Sequence, residues 1–416
     1  MDLGLGLSGR LKLPPGFDRD LRLLLLSMSA RRVVMGFTQI VLTIYLALIG
    51  LSPITIGLLV SVSSAVSALH HVSFGVLSDR FGRKPFLLLG AVFATLRLLI
   101  FASTRNLWLL IIAQGLGAMG EGAGAGQPVV SGYIADKVEL RQRVPVFSAL
   151  AISNAIAATL GSAMAGLPQL FVGTLSIDLT SAHRPLFLIG AGLCVLSFLL
   201  LLPMSRIEST EEVREARRTK GLKVRSWGPI LKFSLVRSTN GLGWGLIESL
   251  LPLYFFLRFA VGSDSLGPLY AAGRVISIMT YMLIPYAVAR LGEVGLIASS
   301  RIASALVIVA FALTDGYPLA AALLVVFRVL TEFTMPVRQS FATGIVDPDE
   351  TATAIGISSF ARMGVRTVAP SLAGYMFEAV SLTMPFFLGS VLTVMNGVFY
   401  YAFFRPRAGP ETPSEQ

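Results

Sequence analysis

The chain has 416 residues, of which 54% are apolar and only 14% charged, against a charged share of about 25% in soluble domains. A soluble fold of this size exposes more charge than that, so an aqueous globular enzyme or binding domain is excluded. The formal net charge of +11 does not point to nucleic acid either, because the basic residues cluster at the ends of apolar runs, the distribution that orients membrane helices.

Residues 1–21 alternate glycine, leucine and basic residues without an apolar stretch leading to a small-residue cleavage site, and read as a cytoplasmic tail, not a signal peptide. About twelve membrane-length segments follow, near 22–49, 53–78, 85–103, 107–135, 144–168, 184–204, 229–258, 265–289, 294–313, 317–346, 352–380 and 383–404. Between the sixth and seventh lies a long charged stretch, Arg206 to Arg225, in which Glu211 faces Arg214 and Glu215 faces Arg218 at helical spacing. The predicted organisation is therefore an all-α integral membrane protein: an N-terminal six-helix bundle at 22–204, a cytoplasmic linker at 205–228, a C-terminal six-helix bundle at 229–404 and a cytoplasmic tail at 405–416. Loops on one side carry Arg80, Arg83, Lys84, Lys137, Arg141, Arg143, Arg290, Arg405 and the basic linker, whereas the opposite loops offer little beyond Arg105, Arg184 and Arg258. Both termini are expected inside a cell membrane crossed many times.

The two halves read as repeats. Tyr45 and Tyr254 are 209 apart, Gly57 and Gly267 210, Gly82 and Gly292 210, Glu121 and Glu332 211, and Gly166 and Gly374 208. A nearly constant offset means duplicated architecture, and parallel six-helix repeats place a substrate site between the halves near the bilayer midplane.

The second and third segments are joined by Gly75-Val76-Leu77-Ser78-Asp79-Arg80-Phe81-Gly82-Arg83-Lys84, a charged turn between two apolar runs. This decapeptide resembles the signature of the major facilitator superfamily, G-x-L-x-D-R-x-G-R-K, and matches it at every fixed position. The resemblance implies two pseudo-symmetric six-helix bundles and a secondary transporter. It also implies a gating latch in which Asp79 caps the start of the eleventh helix, near Thr351 to Ala354, while Arg83 pairs with Asp136. Independently, Gly75 and Gly82 permit close approach and unusual backbone angles, and a carboxylate such as Asp79 can accept from the free amides of a neighbouring helix N-terminus. A topogenic charge cluster accounts for Arg80 and Lys84 equally well. In the second half the turn is reduced to Ala289-Arg290-Leu291-Gly292-Glu293.

Two further motifs of that family are degraded. Gln114-Gly115-Leu116-Gly117-Ala118 resembles the tail of R-x-x-Q-G-x-G-A, with Ile111 in place of the arginine, and Ala157 to Gly166 keeps the small residues of the antiporter pattern G-x-x-x-G-P-x-x-G-G without its proline. Small residues at these spacings allow close helix packing.

Ionisable residues at membrane depth cost about 2.5 to 3.5 kcal/mol each at a helix centre and mark functional sites. Glu121 and Glu332 lie mid-segment in the fourth and tenth helices, and Glu248 in the seventh at the repeat position of Gln39. These three acids are the candidates for proton coupling, Glu121 first, ahead of His70 and His71. Gln39, Arg274, Arg328, Arg362 and Arg366 are the candidates for substrate binding, since guanidinium grips carboxylate or phosphate bidentately. Arg31, Arg32, Arg237 and Arg338 are within snorkelling reach of headgroups, Arg328 and Glu332 also read as an i,i+4 ion pair, and Arg97 reads as structural on a peripheral helix. The nine arginines singled out here against the three glutamates imply an electropositive interior.

The lone Cys194 cannot form a disulfide or a multi-thiolate site within the chain, and no G-x-x-x-x-G-K-[ST] loop is present. The expectation is a non-enzymatic, monomeric transporter without cofactor, metal or nucleic acid, whose partners are a small-molecule substrate, protons or another coupling ion, and the lipid bilayer. Proton-coupled export of an amphipathic or anionic organic solute or drug leads. A proton-linked importer of a small metabolite and a non-transporting substrate sensor are the alternatives.

Overall fold

The computed structural model describes residues 18–120, 126–138, 140–205, 226–343 and 351–405, and among them there are helices and no strands. The N-terminal half contains α1 (Arg19–Leu48), α2 (Pro53–Phe81), α3 (Arg83–Ser103), α4 (Leu107–Gly120), α5 (Gly126–Lys137), α6 (Leu140–Met164), α7 (Leu167–Leu175) and α8 (Leu179–Leu201). The C-terminal half contains α9 (Trp227–Glu248), α10 (Leu251–Phe259), α11 (Ser263–Thr280), α12 (Ile284–Leu313), α13 (Tyr317–Phe333), α14 (Met335–Thr343), α15 (Thr351–Ala379) and α16 (Met384–Phe404). Local chemistry sets several starts: Asp18 accepts from the Leu21 amide at 2.9 Å, Asp178 caps α8 through Ser181, and Ser52 precedes Pro53 at the head of α2.

Among the described residues nine helical stretches are long and apolar enough to cross a membrane. One of them, Ser263–Leu313, is 51 residues long and changes direction at Gly292, so it supplies two legs. The fourth leg is α4 with α5, and the eleventh is α15, whose apolar run is interrupted by Arg362 and Arg366. Twelve legs result.

The halves share one packing plan. In the first, α1 packs on α6 and α8, α3 on α4 and α8, and α2 on α4. In the second, α9 packs on α15 and α16, α12 on α13 and α16, and α11 on α13. Each pairing has its counterpart, and glycines make the tightest ones possible: Gly36 on α1 lies against the Ala158 and Gly161 backbone of α6, and Gly241 on α9 against the Arg362 backbone of α15.

Between the halves, α2 meets α15 and α6 meets α11. Gly57 and Gly374 face each other so closely that a Cβ on either would overlap the other helix's backbone, at Pro370 O and Pro53 O respectively. The companion contact sets Gly267 against Ser162 O, with Gly166 beside Asp264. Gly57 with Gly267 and Gly166 with Gly374 are the repeat-related pairs of the sequence, so the seal is two-fold like the fold.

The charged turn is shorter than its sequence reads. α2 continues through Asp79 and Arg80 to Phe81, only Gly82 breaks it at φ 88°, and α3 begins at Arg83. Gly75 lies within α2 and needs no unusual angle; the conformational demand falls on Gly82 alone. Its repeat partner Gly292, at φ 67°, makes the matching break inside α12.

Candidate functional site

A cavity of about 720 Å³ lies between the halves, on the side of the glycine seal that carries the start of α1. That volume suits an organic molecule of drug size. Its two walls differ. α1, α5 and α6 contribute Met28, Met35, Val130, Phe147, Leu150, Ala151, Ala155 and Ala158, with Arg32, Gln39 and Asn154 among them. The C-terminal half contributes Asn240, Arg274, Arg301, Glu332, Arg338 and Arg362 beside Trp244 and Tyr281. The lining thus holds five arginines and one acid.

A smaller chamber of about 220 Å³ continues towards the seal, joined to the first at Met35 and Gln39, which line both. Thr38, Gln39, Thr43, Ser63, Ser64, Arg97 and Gln114 line it from one half, and Glu248, Ser249, Tyr270 and Arg366 from the other. Above it, Ser371 donates from its amide to Ser61 Oγ at 3.0 Å, tying α15 to α2 next to the Gly57 contact.

Arg328 organises the C-terminal wall. It is 4% exposed, hydrogen-bonds Glu248 on α9, approaches its own-helix Glu332 at 3.7 Å, and lies over the Tyr270 ring at 4.0 Å. A buried guanidinium needs this many partners, because an unpaired charge in a low-dielectric setting is strongly penalised. Arg301 is anchored by Asn240, whose amide oxygen, turned towards it, accepts at 3.1 and 3.3 Å. Arg274 keeps Nη1 buried without a partner, and Arg362 keeps Nε so.

The residues singled out from sequence divide accordingly. Arg274, Arg362 and Glu332 line the main cavity, Glu248 and Arg366 the deep chamber, and Gln39 both. Arg328 lines neither and stands behind them as the partner of both acids. Glu121 and the side chains of Asp79, Arg80 and Asp136 lie outside the described residues. Arg83 is buried, donates to Ser78 Oγ at 2.8 Å and rests against Gly132 of α5.

Arg97 lies on α3, whose Leu89, Val92, Leu96 and Leu99 are exposed, yet it reaches inward. Gly117 on α4 has no side chain to block it, so the guanidinium passes over that glycine, bonds Gln114 Oε1 at 3.1 Å and lines the deep chamber, which the sequence reading did not expect. Of the four arginines within snorkelling reach, Arg32 and Arg338 line the main cavity, Arg31 is buried, and Arg237 lies over the Phe233 ring. Sequence reasoning passed over Arg301, Asn154, Asn240 and Thr43 as lining residues. Arg301 carried the same signal as the others, a cation within an apolar run.

The family model for the major facilitator superfamily matches residues 24–364. The chain belongs to the major facilitator superfamily. Among curated members, the quinolone resistance protein NorA of Staphylococcus aureus is 24% identical over 359 residues, covering 85% of this chain and 88% of its own. Multidrug resistance protein 1 of Bacillus subtilis is 23% identical over 319 residues, 75% of this chain and 78% of its own. A solved bacterial homologue of the human lysosomal transporter Spinster, in an inward-facing and unoccupied conformation, superposes with a TM-score of 0.70 at 16% identity, covering 92% of this chain and 96% of that one. The human organic anion transporter MFSD10 superposes with a TM-score of 0.60 at 17% identity, covering 93% and 100%. The fold is that of these superfamily transporters, a multi-pass membrane protein.

Proposed function

We propose that this superfamily member is a proton-coupled secondary transporter that exports amphipathic organic anions by alternating access between its six-helix bundles, taken as 22–204 and 229–404. The carrying observation is the cavity lining: an apolar wall on the N-terminal half opposite Arg274, Arg301, Arg338 and Arg362 on the C-terminal half. Four guanidiniums facing one acid demand negative charge from the cargo. The apolar wall takes its hydrocarbon part.

With both termini in the cytoplasm of a cell membrane, as the basic loops favour, the cavity faces inward, the loading state of an exporter. The names of the two drug-resistance relatives support that direction. In this reading Asp79 and Arg83 belong to the latch that closes the inner side. Glu332, in the cavity wall, carries the coupling proton with Glu248 behind it, and Arg328 is their shared counter-ion.

A proton-linked importer is the second reading, and one arrangement favours it. Glu332 shares the wall of the anion-binding arginines, so a proton there adds net positive charge where the anion binds, and proton and anion then travel together. Proteoliposomes loaded with a fluorescent aromatic carboxylate decide the matter. Export driven by an inward proton gradient supports exchange, co-accumulation supports import, and binding without flux supports a sensor.

A further inference from the structure

We infer that the deep chamber is a recognition site for a hydroxylated head group, so that the cargo is an amphipathic anion bearing a polyol, of the sugar-acid conjugate type. The inference rests on the anionic reading above for the charge and on separate observations for the hydroxyls.

Several buried polar atoms lining this chamber have no partner: Gln39 Nε2, Gln114 Nε2, Thr43 Oγ1 and Glu248 Oε2. Gln114 is 1% exposed and Thr43 4%. Buried polar groups are satisfied as a rule, and each unsatisfied one is costly, so a cluster of them around one hollow describes the complement of an occupant. Its chemistry can be read atom by atom. The Gln114 amide is fixed, because its oxygen accepts from Arg97, so its NH2 is the group left free. Gln39 likewise leaves an NH2. Glu248 spends Oε1 on Arg328 and leaves Oε2, an acceptor. Thr43 offers a hydroxyl.

An occupant must therefore supply acceptors to two amides and a donor to a carboxylate within about 220 Å³. A bare carboxylate has only acceptors and meets Glu248 as a like charge. An ammonium group has only donors and meets the amide hydrogens, Arg97 and Arg366. A hydroxyl does both, and several on one ring satisfy all these groups together. The acid of the same head then faces Arg366 and Arg362, and the apolar remainder extends along the Phe147 side of the main cavity.

Equilibrium binding to full-length protein in lipid nanodiscs tests this with three probes of shared aromatic character: phenyl β-D-glucuronide, phenyl β-D-glucoside and phenylacetate. The glucuronide should bind at least about tenfold more tightly than either of the others. The isosteric Thr43→Val, at a residue that lines the deep chamber and not the main cavity, should weaken the glucuronide about tenfold while changing phenylacetate less than about twofold. Phenylacetate binding as well as the glucuronide, or a Thr43→Val variant that weakens both probes alike, would overturn the hydroxyl site and leave the anionic reading standing. Glucoside binding as well as the glucuronide overturns the anionic reading and leaves the hydroxyl site. Binding of none of the three up to about 10 mM overturns both.

Discussion

The two halves share a packing plan and differ in chemistry. Where repeat-related residues close the fold they have stayed alike: Gly57, Gly166, Gly267 and Gly374 form one two-fold seal, and Gly82 and Gly292 make matching breaks. Where they line the path they have diverged. Gln39 and its counterpart Glu248 both face the deep chamber, one neutral and one charged and tied to Arg328. The N-terminal wall of the main cavity is mostly apolar and the C-terminal wall mostly cationic. Symmetry is preserved where the halves touch and given up where they line the cavity, as the proposed transport of a cargo with two unlike ends requires.

The largest effect should come from breaking the symmetric part. Gly57→Leu places a side chain into the backbone carbonyl of Pro370, and backbone cannot yield as a flexible side chain does. The seal should fail to close and transport should fall to background. A cysteine placed at Ala151 should react more slowly with maleimide from the N-terminal side than in the wild-type frame. The lone Cys194 is buried and should contribute no signal. Gly374→Leu should reproduce both results; an unaltered labelling rate in both variants removes the seal.

Next comes the asymmetric part. Arg362→Gln should weaken an aromatic carboxylate by about 1.5 to 3 kcal/mol, the worth of a hydrogen bond to a charged group. Phe147→Ala on the facing wall should weaken it less and by a different route, in proportion to the apolar area of the cargo. Titrating a series of carboxylates of growing alkyl length separates the two: the loss should stay constant along the series for Arg362→Gln and grow for Phe147→Ala. Glu332→Gln should leave substrate exchange intact and abolish accumulation driven by a pH gradient, because exchange moves no net proton. Loss of exchange as well would make the acid a part of the binding site instead.

Much of this was legible in the sequence. Twelve apolar runs, the decapeptide around Asp79 and the offset near 210 specify the fold and mark Gly57, Gly166, Gly267 and Gly374 as repeat positions, since periodicity and small-residue spacing are local properties, but not that Gly57 meets Gly374 across the halves. The depth of charged residues also marked Arg274, Glu332 and Arg362 as cavity groups. Legibility ended where one helix looks through another. Arg97 reaches the chamber because Gly117, on a different helix, leaves a gap, and Arg328 stands behind the acids because Tyr270 and Glu248 converge on it from two helices. Nothing in the run around Arg97 encodes the gap on α4.

The smallest effect refines the comparison most sharply, because it uses one residue type at one repeat position. Tyr45 and Tyr254 are both 1% exposed or less, and both sit among aromatic rings: His183 and Phe187 around the first, Phe255, Phe311 and Phe386 around the second. The Tyr45 hydroxyl donates to Phe101 O at 3.2 Å, whereas the Tyr254 hydroxyl has no partner. Removing a made hydrogen bond costs about 0.5 to 1.5 kcal/mol, while removing a buried unsatisfied group relieves a desolvation cost. Tyr45→Phe should therefore lower thermal stability by a few degrees in a detergent melting assay, and Tyr254→Phe should leave it unchanged or raise it. Equal losses in the two variants would mean that the Tyr254 hydroxyl is satisfied in the working protein, and the divergence between the halves would then be confined to the walls of the cavity.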